Sequence, residues 1–295
     1  MKNIFLLIGA IALLASCVEQ KKENETMNKE SVETKQSFPE IKEGDVVAGI
    51  NLTVAEGKRL IAKGIANDLR VKEKLKKGMV IITSGSTNTY IAEELANLKA
   101  PHGSFLTGNI IPHGKESITK GLERVPNIVI IDGKVADINF EDALKKTRKG
   151  DIIFKGANLL NYERKQTAVC IGAADGGTVS RIREYTAVEN RGLLIVPIGL
   201  EKEVHGDLND YEKLFENKTE QLSYVPRVWV HQNGEVFTEI EAIKNFGAVN
   251  VYPFAAGGLA GREGGISLAV YGSKEEVSKV LDVISSIQGE DPFAK

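Results

Sequence analysis

One stretch constrains this chain more than any other. Met79 to Ile82 is a short apolar run, Thr83 to Thr87 reads Thr-Ser-Gly-Ser-Thr, and Asn88 to Leu95 carries apolar residues at helical spacing. Apolar strand, tight small-residue loop and amphipathic helix, in that order, form the unit from which α/β sheets are built. Backbone N–H groups in the first helical turn have no intrahelical acceptor, and the positive end of the helix dipole lies beside them. Ser84, Gly85, Ser86 and Thr87 are therefore candidate contacts for a phosphate or another anionic group. The other reading of the same residues is an ordinary strand–helix connection in which Ser and Thr act as caps.

The rest of the chain repeats the theme. Residues 150–156, 168–173 and 193–198 are further apolar strands, each running into a turn. Their apolar runs do not alternate, which argues a parallel sheet covered on both faces. Thr53 and Glu56 form a capping box ahead of Leu60, Ile61, Ile65, Leu69 and Leu75, which follow at roughly helical spacing up to Gly78. Asp132-Gly133 suits a two-residue hairpin turn, Asn139 caps a helix through Arg148, and residues 179–189 have helical character. Beyond Leu200 the pattern changes. Residues 227–237 suggest a hairpin turning at Asn233-Gly234, followed by a helix over 238–246 and a strand over 250–254. A glycine-rich loop from Gly257 to Gly265, a strand over 266–271 and a helix over 274–287 close the chain. This tail, 201–295, reads as a small α+β layer of βαββα order beside the main sheet.

Two more strand ends carry candidate ligand contacts. Lys155, Gly156 and Asn158 follow the strand that ends at Phe154, and Asp175, Gly176, Gly177 and Thr178 follow the strand over 168–173. Ligand sites of α/β sheets lie at the carboxyl ends of strands. Each turn alone is as well explained by surface chemistry. Three turns at the same edge of one sheet would define a crevice.

The bulk numbers bound the partners. A formal net charge of −2 over 295 residues, without a basic patch, excludes nucleic acid as the expected partner. His102 and His113 sit in two Pro-His-Gly turns, but no Cys or carboxylate cluster joins them, so no metal is expected. No cofactor is expected either. Of the two cysteines, Cys170 lies in an apolar run and reads as a buried thiol. Cys17 ends Leu14-Ala15-Ser16-Cys17 after a basic start and a short apolar run, which has the form of an export signal. The segment resembles the bacterial lipobox. That resemblance implies removal of residues 1–16, lipid on Cys17 and insertion of its chains into a bilayer, as in a membrane-anchored lipoprotein facing the periplasm or the cell surface. Residues 17–38 are polar and charged and read as a flexible tether.

A family resemblance follows from the same residues. Thr83-Ser84-Gly85-Ser86-Thr87 before a helix resembles the phosphate loop of ribose-5-phosphate isomerase, and Ile153-Phe154-Lys155-Gly156 with Glu163-Arg164-Lys165 resembles its lysine-glycine and Arg-Glu-Lys stretches. The region from about Gly44 to Leu200 is similar to the superfamily of ribose-5-phosphate isomerase, glucosamine-6-phosphate deaminase and CoA transferases. Within it, residues 155–158, 175–178 and 195–202 resemble an uncharacterised bacterial and archaeal branch. The resemblance implies a Rossmann-like, doubly wound, mostly parallel sheet over 39–200 and a small phosphorylated or otherwise anionic ligand. It offers Lys155 and Glu163 as candidate catalytic groups. The chain departs from the isomerase in lacking a clear acidic segment before the lysine; Asp142 stands at a plausible distance but in an expected helix. Glu189-Asn190 is similar to the CoA-transferase glutamate signature, but Arg191 interrupts it. Sequence thus leads to an exported lipoprotein binding an anionic small molecule. The alternatives are an isomerase-like or CoA-transferase-like enzyme, and an interaction protein that forms homo-oligomers through the Gly257–Gly265 loop.

Overall fold

The computed structural model describes residues 40–111, 114–187, 191–216, 222–223 and 225–293. The export signal, Cys17, the tether, His113 and Glu189-Asn190 lie outside them.

Strand β2 (Met79–Ile82) is the centre of the fold. All four of its residues are buried, so both faces of the sheet are covered there. It pairs in parallel with β5 (Ile152–Phe154), which pairs in parallel with β8 (Leu193–Pro197), which pairs in parallel with β10 (Glu235–Phe237). On its other side β2 pairs antiparallel with β3 (Ile128–Ile131), and β3 with β4 (Lys134–Val135). The result is a six-stranded mixed sheet ordered β10-β8-β5-β2-β3-β4. The architecture is therefore mixed α/β. The Asp132-Gly133 turn between β3 and β4 has φ of 47° and 78°, the left-handed pair that a two-residue hairpin requires.

Two smaller antiparallel sheets complete the chain, and both revise the expected layout. β7 (Gln166–Ile171) has the apolar look of β5 but pairs with β6 (Leu159–Asn161) and β9 (Arg227–Val230), outside the main sheet. β9 and β10 flank Asn233-Gly234 without pairing with each other; β9 joins β7, and β10 joins β8. β11 (Asn250–Ala256) and β12 (Ile266–Ser273) pair with β1 (Asp45–Leu52) in the order β1-β12-β11. The C-terminal residues therefore do not form a separate βαββα layer but contribute to all three sheets. The described residues from Ile41 onward form one compact unit.

Five of the helices start where a short polar side chain caps them. Thr53 opens α1 (Val54–Asn67) with a complete capping box: Glu56 N donates to Thr53 Oγ1 at 3.2 Å, and Thr53 N donates to Glu56 Oε2 at 2.8 Å. Where one long helix was expected, Asp68 divides it. Its backbone is extended, and its carboxylate accepts the Arg70 N–H at 2.8 Å to start α2 (Leu69–Lys76). α3 (Ser86–Ala96) follows β2. α4 (Phe140–Lys146) begins at the Asn139 cap, α5 (Gly177–Thr186) follows β7, and α6 (Leu208–Glu216) precedes β9. Thr238 caps α7 (Glu239–Lys244) with a second capping box, and α8 (Lys274–Ser285) closes the chain. α1 packs against α3 and α7. A Cβ at Gly64 would stand 2.5 Å from Cα and Cβ of Ala242, so only glycine permits α1 and α7 to approach this closely. No helix among the described residues is long and apolar enough to cross a membrane.

Candidate strand-edge site

The parallel strands β2, β5, β8 and β10 point their carboxyl ends to one edge, and four turns meet there. The chain leaves β2 toward β3 on one side and leaves β5 toward β8 on the other. The two connections thus diverge between neighbouring parallel strands, which is where open α/β sheets form crevices. Thr83–Asn88 lines one side of that division and Lys155 the other. The two are tied together: Thr83 N and Oγ1 both donate to Phe154 O, at 3.1 and 2.8 Å, and Asn88 Nδ2 donates to Thr83 O at 2.7 Å and Phe154 O at 3.2 Å.

The loop after β2 directs most of its own amides into the protein. Ser84 N donates to Asn127 Oδ1 at 2.9 Å and Gly85 N to Phe105 O at 2.9 Å, while the Ser84 and Thr107 hydroxyls bond to each other. What remains is the first turn of α3, Ser86 to Asn88, which has no side-chain cap. Thr87 and Asn88 are buried there, and Asn88 Oδ1 has no partner among the described residues. Any anion contact is thus shifted from Ser84 and Gly85 toward Ser86 and Thr87.

The charge on this edge comes from Lys155, which the sequence singled out, and from Lys202, Lys58 and Glu239, which it did not. Lys155 Nζ donates to Gly156 O at 3.0 Å, and Lys202, in a 3-10 turn (Leu200–Lys202) after β8, donates to Ala157 O at 3.0 Å. Lys58 of α1 is buried beside Phe293, with Nζ 5.4 Å from the ring centroid. Among the described residues none of these three lysines has a carboxylate within 4.0 Å. Burial, then Lys202, pulls Lys58 down to about 8, with Glu201 and Glu239 opposing. The same two causes pull Lys155 down to about 8. Glu239, at the first turn of α7, is 1% exposed, and its Oε2 accepts the Leu200 N–H at 3.0 Å. Burial, then the neighbouring Glu201, pushes it up to about 8. A Cβ at Gly57 would lie 2.7 Å from Glu239 Oε1, and one at Gly199 would overlap the Glu201 carboxylate. Two glycines thus leave room for two carboxylates. Three lysines and two glutamates thus share this edge, and burial, then Glu201, favours the protonated form of Glu239.

The remaining candidates are placed elsewhere or differently. Asn158 is a strand tie: its Oδ1 accepts the Cys170 N–H at 2.9 Å and its own N–H donates to Ala168 O at 2.8 Å. Asp175, Gly176, Gly177 and Thr178 follow β7 in the separate antiparallel sheet, so two turns, not three, share the expected edge with the crevice. Asp175 is exposed and its Oδ1 accepts the Gly177 N–H at 2.9 Å, and Gly176 lies against Trp229. Glu163 is exposed in the turn between β6 and β7, with no hydrogen bond or ion pair to Lys155. Asp142 is an exposed first-turn residue of α4: its N–H donates to the Asn139 cap at 2.9 Å, and its Oδ2 accepts from Asn139 Nδ2 at 2.7 Å. His102 is not a free loop histidine: its ring stacks on Phe293 at 4.7 Å and bonds Glu93 Oε1 at 2.9 Å. No metal-ligand cluster is present among the described residues. A cavity of about 40 Å³ lined by Ile182, Thr186, Leu194, Trp229 and His231 has room for water but not for a metabolite.

Two signals for the missed residues were present. Gly199 to Lys202 follows an apolar strand, as Lys155 does, and Lys58 lies three and seven positions before Ile61 and Ile65, on the apolar face of its helix. No family model, curated protein or solved structure matches the chain.

Proposed function

We propose that the carboxyl edge of β2, β5, β8 and β10 binds a small phosphorylated or otherwise anionic molecule, on a chain tethered to a membrane through Cys17. One observation carries the reading. Lys58, Lys155 and Lys202 converge on that edge from three elements, and none is neutralised by a carboxylate at ion-pair distance among the described residues. The uncapped first turn of α3 adds a favourable dipole on the opposite side of the crevice. Divergent connections on either side of β2 and β5 also favour the Rossmann-like, doubly wound reading and the superfamily resemblance. The test is thermal melting of the chain with inorganic phosphate, ribose 5-phosphate, glucosamine 6-phosphate and an acyl-CoA, repeated for Lys202→Ala. A rise in Tm with at least one anion, lost in the variant, supports the site; no rise with any of them refutes it. Mass spectrometry of the membrane-fraction protein tests the anchor: lipid mass on Cys17, abolished in Cys17→Ser, is the expected result.

A second reading, association through the β11–β12 hairpin, is favoured by the exposure of Phe254 (63%) and Leu259 (86%) at its tip. Light scattering distinguishes it: a strictly monomeric protein removes it.

A further inference from the structure

We propose that Lys155 is an amine nucleophile that adds to the carbonyl carbon of a small anionic carbonyl compound held on this edge, forming a reversible imine. The inference rests on the anion-binding reading and adds a reacting group to it.

The geometry of two carbonyls carries it. Lys155 Nζ is held on Gly156 O and Lys202 Nζ on Ala157 O, each at 3.0 Å. Consecutive residues are about 3.8 Å apart at Cα, so the two amino groups hang from adjoining peptide units. Neither has a carboxylate at ion-pair distance among the described residues. A lysine becomes nucleophilic when apolar surroundings or a neighbouring cation favour its neutral form. Lys155 has both, since Phe154 and Ala157 beside it are buried and Lys202 is the adjoining cation. His231, facing it from the end of β9, is pushed down to about 3 by burial and by Lys155 itself, so it is neutral and cannot pair with the amine as a cation. Lys58 has a comparable setting but is covered by Phe293 and only 8% exposed, whereas Lys155 keeps part of its surface open.

The step balances without a co-reactant. The neutral amine nitrogen attacks the carbonyl carbon and the C–N bond forms. The carbonyl oxygen takes up both amine hydrogens and leaves as water. Lys202 gives one N–H to Ala157 O and retains two for the compound's anionic group. Once protonated, the imine draws electrons from the adjacent carbon, the activation needed to remove a proton from it.

The experiment uses the full chain with glycolaldehyde phosphate, reduced with sodium borohydride and mapped by peptide mass spectrometry. Lys134, on β4 with both strand residues exposed, is the internal reference. The expected result is an adduct on Lys155 about tenfold or more above that on Lys134, suppressed by excess inorganic phosphate. It should be absent from Lys155→Arg and Lys155→Gln, with circular dichroism reporting whether each variant is folded. Labelling of Lys155 no greater than that of Lys134 overturns the inference, whatever the variants do. If inorganic phosphate still raises the Tm in that case, the anion site stands without the imine. If phosphate neither raises the Tm nor competes, both readings fall.

Discussion

Replacing Lys155 by methionine should stabilise the protein, and the gain should depend on pH in a defined way. Lys155 is drawn from its ordinary 10.5 to about 8 by burial and by Lys202. At about 1.36 kcal/mol per pKa unit, the charged lysine is disfavoured by about 3 kcal/mol. Methionine keeps much of the stem volume but loses the bond to Gly156 O, which takes back about 1 kcal/mol. The net gain is about 2 kcal/mol, or about 4–8 °C in Tm for a chain of this size. The sign with pH follows from proton counting. Between about 8 and 10.5 the unfolded lysine holds a proton that the folded one has released, so the parent gains stability as pH rises. The methionine variant's advantage is therefore full below about pH 8 and fades toward pH 10.5. Urea unfolding at pH 7, 9 and 10.5 measures it. A variant less stable than the parent at all three pH values would refute the reasoning, because Lys155 would then be a structural anchor through Gly156 O and not a charge held against its environment.

Three further outcomes are expected. Glu239→Gln should match the parent near pH 4.5 and become more stable than it as pH rises through about 8. Burial raises the folded carboxyl, so the parent loses stability across that window, and parallel melting curves would contradict this. Gly64→Ala should destabilise by about 1–3 kcal/mol through overpacking against Ala242, whereas Gly49→Ala, with nothing within 4 Å of the new Cβ, should be close to neutral in the same calorimetric scans. Asp151→Ala should lower stability by about 2–5 kcal/mol, because the buried carboxylate accepts Met79 N at 2.9 Å and Arg148 N at 2.8 Å; chemical denaturation with a loss under 1 kcal/mol would argue that water replaces it.

Local chemistry was legible in the sequence where a side chain acts on its own backbone. Thr53 and Asn139 cap the helices assigned to them, and Asp132-Gly133 turns a hairpin. Strand partnership was not legible, because pairing is a long-range choice. Asn233 has the positive φ, 56°, of a hairpin turn, yet the strands around it find better partners in β7 and β8. The apolar run of β7 is as consistent with a central parallel strand as with the middle of a three-stranded antiparallel sheet, and periodicity cannot separate them. The same limit explains the site. Lys155 could be found from the rule about strand ends, but Lys58 and Glu239 reach it only because Gly57 and Gly64 let α1 settle against α7.

The placement of charge at the strand edge is the strongest reason to read it as a site and not as packing. A lysine that stabilises a fold sits with a carboxylate, as Lys279 does with Glu275 and Glu276 at 2.9 and 2.6 Å on the surface. Lys58 and Lys155 do the opposite: each is drawn from 10.5 to about 8, so each opposes folding at neutral pH. Apolar residues of similar length would hold the same volume at lower free energy. Glu239 adds a third group whose ionisation is suppressed, in the same few turns. Clusters whose titration is displaced by burial and by one another recur at binding and proton-transfer sites, which is why this edge is the candidate. An anion placed among the three lysines would reverse the sign of their contribution, restoring the Lys58 and Lys155 ammonium groups toward their ordinary range. Ligand binding and an upward shift of the Lys155 titration should therefore be observed together, and nitrogen-resolved NMR of the lysine side chains, with and without phosphate, would separate this from a site that merely tolerates its lysines.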